Sequence, residues 1–214
     1  MVIIIIDKQY IFTRKVSVMG QAFEAILKRR SIRKYKSDEV PREKIKKVLE
    51  AANWAPSNGN SQPWEFIVTK GEYVDKVCQI FYNWAKDYIP NAPYIAPEKV
   101  PGMLKYAENL GGAPTHIIVT YEVYDDEEKT EESLMAASAA IQNLCLAAWE
   151  EGLGTVWIAG YAANADETRK LLNLKEDRKI AGIIPIGYPD EDPAPPPRKD
   201  PELVEKVTWL GFDF

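Results

Sequence analysis

Three separated stretches of the chain combine residue types that could bind a phosphorylated ligand with a flat ring. Residues 29–33 read RRSIR and lie at the end of a predicted helix over residues 21–30. Arginine guanidinium groups bind phosphate through paired hydrogen bonds, and the hydroxyl of Ser31 adds a short donor. In an extended chain Ser31 and Arg33 point to the same side. Arginines at a helix end also complement the helix dipole, so this stretch alone leaves both explanations open.

The second stretch is a polar loop flanked by prolines. Residues 55–64 read APSNGNSQPW. Their amide and hydroxyl groups could present fixed donors and acceptors to a polar heterocycle or to a sugar chain. Proline, glycine, asparagine and serine in close succession also break regular structure, so an ordinary turn is the alternative.

The third stretch, residues 152–160, runs through a predicted strand at Val156–Ile158 to Ala159 and Gly160. Glycine at a strand end lets a flat ring approach the backbone closely. A strand followed by a turn is the alternative interpretation of the same residues.

Hydrophobic periodicity predicts the elements that position these stretches. Helices are predicted over residues 21–30, from Pro41 onward, and over 72–88, 102–109, 131–151 and 165–172. Strands are predicted over residues 65–69, 115–123, 156–158 and 180–186. The alanine-rich helix 131–151 can pack closely on several sides and is expected to be central. The connections are too irregular for a doubly wound sheet, which indicates an α+β fold.

Several segments depart from this regular pattern. Residues 1–18 are interpreted as an N-terminal extension, and residues 19–214 as one domain. The proline- and glycine-rich part of residues 72–112 has the character of a substrate lid. Residues 190–214 form a C-terminal arm, which the Pro193–Pro197 run makes extended and stiff.

Composition excludes several classes of function. A net charge of −5 offers no broad attraction for nucleic acid or for an anionic membrane. The apolar run Val2–Ile6 is too short to span a bilayer and lacks the features of a signal peptide, so a cytoplasmic protein is expected. Cys78, Cys145 and His116 are interpreted as core residues, and no metal site is predicted.

The RRSIR motif and the later WAPSNGNSQPWEF segment together resemble the nitroreductase family of flavoproteins. The resemblance extends from about residue 21 to about residue 205, and the PSxxNxQPW element is its most specific part. It implies an α+β fold with a central, mostly antiparallel sheet flanked by helices. It also implies an interlocked homodimer in which both subunits build each of two FMN sites.

The resemblance further implies a role for each motif. Arg29, Arg30 and Ser31 would hold the ribityl phosphate, and Arg33 would reach the N1 and O2 edge of the flavin ring. The loop residues would serve the partner's flavin, namely Pro56, Ser57, Asn58 and Asn60, with Gln62 as support. Trp157 and Ile158 would lie along the ring, and Ala159 or Gly160 would offer a backbone N–H to N5. Arg198, or else Lys199, would return to the phosphate.

The implied activity is an NAD(P)H-dependent reduction in two steps, without a catalytic side chain, of nitroaromatics, quinones or related small electrophiles. Trp157 and Ala159 stand where several relatives have proline and an acidic residue, so the resemblance does not fix the packing on the ring or the substrate range. A halotyrosine dehalogenase and a non-catalytic FMN-binding or redox-sensing protein are the alternatives. Neither the physiological acceptor nor the choice of NADH or NADPH follows from the sequence.

Overall fold

The computed structural model describes residues 20–212, apart from the side chains of Gln21 and Tyr161. Its helices are α1 (Gln21–Lys28), α2 (Arg42–Asn53), α3 (Glu72–Tyr88), α4 (Val100–Ala107), α5 (Glu127–Glu150) and α6 (Asp166–Leu171). Its strands are β1 (Trp64–Lys70), β2 (Thr115–Glu122), β3 (Gly154–Thr155) and β4 (Arg178–Gly187). The predicted N-terminal extension, residues 1–18, lies outside the described residues.

The four strands form one sheet in the order β1-β2-β4-β3, and every pair is antiparallel. In β2, Thr115 lies opposite Lys70 of β1 and Ile186 of β4. Its residues are buried from Thr115 to Tyr121, because helices cover both faces of the sheet there. The α+β class and the antiparallel sheet are therefore as predicted.

Helix α5 is central, as its small residues predict, but it begins earlier than expected. The carboxylate of Asp126 accepts a hydrogen bond from the backbone N–H of Lys129 at 3.1 Å, which caps a helix that starts at Glu127 and not at residue 131. At the other end, the N–H of Leu153 donates to the carbonyl of Ala148 at 2.8 Å. Gly152, with φ +73°, makes that reversal possible.

Helix α1 departs from its prediction in length and in burial. It ends at Lys28, so Arg29 and Arg30 follow the helix instead of completing it. Ala25 is buried, but Phe23, Ile26 and Leu27 are exposed in the single chain. Only Ala25 of this helix is therefore covered by the described part of its own chain, whereas the larger apolar side chains are not.

The third predicted strand is displaced towards the N-terminus. Ladder pairing covers only Gly154 and Thr155, and the chain then meets β4 again through a single bridge between Ile158 and Ile183. The prediction of a strand at Val156–Ile158 was wrong, because Trp157 packs onto the backbone of β4 at Gly182 and interrupts the ladder.

The face of the sheet opposite α5 carries α3, and α4 packs against α3 to form a helical hairpin. This hairpin has a small core of its own around Ala85, Ile89 and Ala107. Helix α3 has the bounds that the sequence predicts, whereas α4 begins two residues before its predicted start at 102. The hairpin lies over the sheet where a substrate lid was predicted.

The sulfur and imidazole groups belong to the core, as predicted. Cys78 and Cys145 are free and buried, and His116 is fully buried. Among residues 20–212, no helix has the length together with the apolarity that crossing a membrane requires. The same residues contain no group of three His, Cys, Asp or Glu side chains placed to hold a metal ion.

Candidate functional site

A basic cleft of about 170 Å³ opens where the end of α1 meets the turn between α5 and β3. Ser31 forms a bridge with Thr155, and the N–H of Ile32 donates to the carbonyl of Thr155 at 2.9 Å. These contacts hold the chain after α1 beside β3. Lys28, Arg29 and Arg30 line the cleft together with Gly152–Thr155, and Pro189, Glu191 and Asp192 complete its wall. The cleft is thus lined by three basic and two acidic side chains.

The two adjacent arginines have different environments. The guanidinium group of Arg30 donates to the carbonyls of Leu27 and Arg29 at 2.7 and 2.8 Å, so it complements the helix end. The Nε of Arg29 is buried and has no hydrogen-bond partner among the described residues. Leaving a buried charged donor unpaired costs free energy, which an anion in the cleft would recover. Arg29 is therefore the side chain of the cleft best placed to bind an anion.

Arg33 is held between the C-terminal segment and the hairpin. Its backbone N–H donates to the Glu191 carboxylate at 2.5 Å, and its guanidinium group donates to the carbonyl of Ser31 at 3.2 Å. Burial raises the pKa of the nearby Tyr106 phenol, and the Arg33 cation opposes that shift. The side chain of Arg33 is exposed and can reach a ligand.

The turn at residues 157–160 is open on its outer side. Gly160 has φ +108°, a conformation that favours glycine, and a Cβ added there would meet no atom within 4 Å. Ala159 is exposed, and within the described residues the backbone N–H groups of Ala159 and Gly160 donate to no carbonyl. The turn thus presents free backbone donors beside open space.

Trp157 takes its position from Gly182. The indole Nε1 donates to the carbonyl of Ala181 at 3.0 Å. A Cβ on Gly182 would lie 2.3 Å from that same indole nitrogen. Only glycine at residue 182 therefore allows the indole to pack flat on β4.

We predict that Gly182→Ala displaces the indole of Trp157 and lowers the free energy of unfolding by about 1–3 kcal/mol. Chemical denaturation followed by tryptophan fluorescence measures this change. Gly102→Ala is the matched control, because a Cβ at Gly102 meets no atom within 4 Å and alanine suits helix α4. Equal stability of the two variants would contradict the assigned packing.

The loop at residues 56–62 has a strained and well-defined conformation. Asn60 and Gln62 have φ of 57° and 48°, in the left-handed region that non-glycine residues adopt uncommonly. The Ser57 hydroxyl accepts a hydrogen bond from the N–H of Gln62 at 3.0 Å and closes the loop. Asn58 donates to the Glu132 carboxylate of α5 at 2.7 Å. The loop is therefore a built structure and not an irregular turn.

Arg178 of β4 connects the C-terminal end of this loop to the sheet. The Arg178 guanidinium group donates to the carbonyl of Pro63 at 2.6 Å and pairs with Glu65 at 3.0 Å. Trp64 is buried, and its indole N–H donates to the Asn53 side chain at 3.0 Å. These contacts anchor Pro63 and Trp64 at the end of the loop.

A second, larger pocket joins the turn to the hairpin. It has a volume of about 600 Å³ and is lined by Trp84, Tyr88, Tyr94, Ala159 and Gly160. The sequence predicts a role for Ala159 and Gly160 but none for the three aromatic residues. Trp84 and Tyr88 are four residues apart on one helix, which was the available indication that their side chains meet.

The structure groups the predicted residues only in part. Arg29 and Arg30 line the cleft, Ser31 and Arg33 lie on its border segment, and the turn at residues 157–160 borders the larger pocket. The loop at residues 56–62 contributes no residue to either space. Arg198 is exposed and does not line the cleft, so its phosphate role stays a prediction.

Comparison with known proteins defines the class. The sequence profile of the Nitroreductase family matches residues 26–188, and the chain belongs to this family. The protein YfhC of Bacillus subtilis (strain 168), which is named as an NAD(P)H nitroreductase, is 33% identical over 187 residues. The match covers 87% of this chain and 93% of YfhC. The iodotyrosine deiodinase of Thermotoga neapolitana is 27% identical over 215 residues, covering 89% of this chain and all of its own.

Solved structures agree with this assignment. A nitroreductase-like family protein from Bacillus cereus matches with a TM-score of 0.73 at 25% identity, over 91% of this chain and 98% of the other. Oxidised iodotyrosine deiodinase bound to FMN and 3-iodo-L-tyrosine matches with a TM-score of 0.72 at 25% identity, over 90% of this chain and 100% of the other. The chain is an oxidoreductase of the nitroreductase family.

Proposed function

We propose that this protein binds FMN and uses it to reduce small electrophiles, such as nitroaromatics or quinones, with NADH or NADPH as the electron donor. The observation that carries the proposal is the buried, unpartnered Nε of Arg29 in a basic cleft. A relative of similar fold was solved with FMN bound, and another match is described as dependent on FMN and NADPH.

The residues of the cleft and of the turn suit the two ends of FMN. Lys28, Arg29 and Arg30 match a phosphate monoester that carries close to two negative charges. The open turn at Ala159 and Gly160 offers backbone N–H donors to the ring, and Trp157 lies beside it. When bound, FMN supplies hydride-transfer chemistry at N5, and the protein supplies binding, orientation and electrostatics.

Arg33 has an electrostatic role in this proposal. Its exposed guanidinium group would face the N1 and O2 edge, where a cation stabilises the negative charge of the reduced ring. The backbone contacts of Arg33 with Glu191 and of Tyr35 with Gly111 keep this segment in place. No acid or base among the side chains is required, because protons can be exchanged with solvent through the open pocket.

We infer further that the functional unit is a homodimer with a flavin site shared between subunits. The loop at residues 56–62 is structured for binding but lies away from the Arg29 cleft of its own chain. Apolar side chains on α1, together with Trp54 and Met135, are exposed in the single chain, with 82% of Trp54 accessible. Burial of such side chains between two subunits is favourable.

The first test is direct. The purified protein should be yellow, and its flavin absorbance should bleach under anaerobic conditions when NADH or NADPH is added. A protein that binds FMN but turns over no acceptor would instead be the non-catalytic flavoprotein. A colourless protein that takes up no FMN would refute the proposal.

We predict that Arg29→Ala weakens FMN binding about 10- to 100-fold, because a charge-assisted phosphate contact contributes about 1.5–3 kcal/mol. Arg30→Ala should have a smaller effect, since its guanidinium group already binds the carbonyls of Leu27 and Arg29. Arg29→Lys should recover only part of the loss, because it restores charge without the planar fork. Fluorescence titration of the apoprotein with FMN measures all three, and equal losses in the two alanine variants would contradict the assignment.

A further inference from the structure

The edge of β4 that faces β3 is covered mostly by irregular chain and not by a strand. Strand β3 pairs only with Gly187 and Ile186, so ladder pairing leaves the earlier part of this edge without a neighbouring strand. Buried backbone N–H and C=O groups at such an edge need other partners. Ile158 provides one pair, since its carbonyl accepts from the N–H of Ile183 at 2.8 Å and its N–H donates to the carbonyl of Ile183 at 3.0 Å. This bridge is the first anchor of the chain that follows β3.

Asn164 is the second anchor on the same strand. Its side-chain nitrogen donates to the carbonyl of Ile180 at 2.9 Å, and its side-chain oxygen accepts from the N–H of Ile180 at 2.8 Å. A carboxamide carries a donor and an acceptor side by side, so it pairs with Ile180 as a residue of a neighbouring strand would. Because Ile180 is only 4% exposed, water has little access to replace the amide.

The two anchors enclose a short segment of chain. We call residues 159–163, which lie between Ile158 and Asn164, the arch. Thr168 is buried, and its hydroxyl donates to the carbonyl of Ala162 at 3.0 Å. The arch is therefore fixed at both ends and supported in its C-terminal half.

The N-terminal half of the arch carries the backbone donors of the candidate flavin site. The N–H groups of Ala159 and Gly160 donate to no carbonyl among the described residues, and both residues border the larger pocket. A Cβ on Gly160 would meet no atom within 4 Å, so packing does not hold this residue in place. The direction of the two donors therefore depends on the anchors at Ile158 and Asn164.

We propose that Asn164 is a positioning residue of the flavin site, which holds the arch so that the N–H of Ala159 or Gly160 is directed at N5 of FMN. This role rests on the proposed function, since it names the side chain that fixes the N5 donor. The amide of Asn164 is already bound to Ile180, so Asn164 acts through the backbone of the arch and not by contact with the ring. Without this amide the arch can shift and the donor turns away from N5, while the Arg29 cleft keeps its shape.

Binding of FMN and of 5-deaza-FMN to the apoprotein tests this role. The two ligands share the phosphate and nearly the same shape, but the analogue has a C–H group where N5 accepts a hydrogen bond. Wild type is expected to bind FMN about three- to tenfold more tightly than the analogue, as one hydrogen bond predicts. In Asn164→Ala this preference should fall to about twofold or less, because only the affinity for FMN decreases. An unchanged preference in Asn164→Ala would overturn the proposal.

A second variant and a control complete the comparison. Asn164→Asp keeps the size of the side chain and the acceptor for the N–H of Ile180 but loses the donor to its carbonyl. It should also lose preference for FMN, and it tests the role if the alanine variant does not fold. Asn143→Ala is the matched control, because Asn143 donates to the carbonyl of Ala51 at 3.2 Å, away from the arch. A general loss of structure would weaken both ligands equally, and that result in the Asn164 variants would contradict the positioning role.

Failure of the positioning role can be distinguished from failure of the proposed function. A wild-type apoprotein that binds neither ligand would refute the proposed function, and the positioning role with it. A wild type that binds both ligands with equal affinity would refute only the positioning role. An equal loss of preference in Asn143→Ala and in the Asn164 variants would refute it as well.

Discussion

Replacing Gly111 with alanine should lower the free energy of unfolding by about 3 kcal/mol or more and should also weaken FMN binding. Gly111 has φ +80°, and a Cβ there would lie 2.1 Å from the carbonyl oxygen of Arg33. The neighbouring atom belongs to backbone and cannot rotate away. The carbonyl of Gly111 also accepts the N–H of Tyr35 at 3.0 Å, so the whole segment around Arg33 would have to move.

Gly112→Ala provides a matched control for this effect. Gly112 has a similar φ of +78°, but its nearest atom to an added Cβ is the Asn109 side-chain nitrogen at 3.9 Å. It should cost only the backbone strain of about 1–2 kcal/mol and leave FMN affinity unchanged. Urea denaturation and FMN titration compare the two variants. Equal losses of unfolding free energy and of FMN affinity in the two variants would show that the close approach of Gly111 to the Arg33 carbonyl is unimportant.

Lowering the pH should destabilise the protein through His116. Its imidazole is fully buried, and burial alone lowers the pKa of His116 from 6.5 to about 4. Between pH 6.5 and about pH 4, His116 is protonated in the unfolded chain but neutral in the folded chain. The free energy of unfolding therefore falls as the pH drops from 6.5 towards 4, by about 3 kcal/mol from this group.

His116→Leu separates this effect from the titration of carboxylates. The variant should be less sensitive to pH between 6.5 and 4, whatever its absolute stability, because the titrating group is gone. Unfolding free energies at several pH values, from urea denaturation of both proteins, give the comparison. Parallel pH profiles for wild type and variant would contradict the role of His116.

Elements with an uninterrupted periodic pattern could be predicted well. Helix α3 has the predicted bounds, since Gly71 and Pro90 delimit a continuous amphipathic run. Strand β3 could not be predicted correctly, because its end depends on a contact between Trp157 and Gly182, which is distant in sequence. The early start of α5 depends on the Asp126 cap in a charged segment with little apolar pattern.

In the candidate site, too, local residue patterns could be interpreted from the sequence, whereas features that depend on tertiary contacts could not. Residue type and order were enough to single out Arg29, the loop and the turn at residues 157–160 as candidates. They could not distinguish Arg29 from Arg30, because the difference is the set of carbonyls that each guanidinium group reaches. The grouping of aromatic side chains in the larger pocket could not be predicted either, since Tyr94 meets Tyr88 only through the fold of an irregular segment.

The central claim is that residues of two chains build each flavin site, and subunit complementation tests it most directly. One subunit carries Arg29→Ala, the other carries Asn58→Ala with Asn60→Ala, and the heterodimer is purified through two different affinity tags. At an FMN concentration that fills wild type but leaves both parent variants empty, the heterodimer should hold half the wild-type flavin, because one of its sites has no substitution. A heterodimer as empty as its parents would show that each site lies within one chain and would contradict the account.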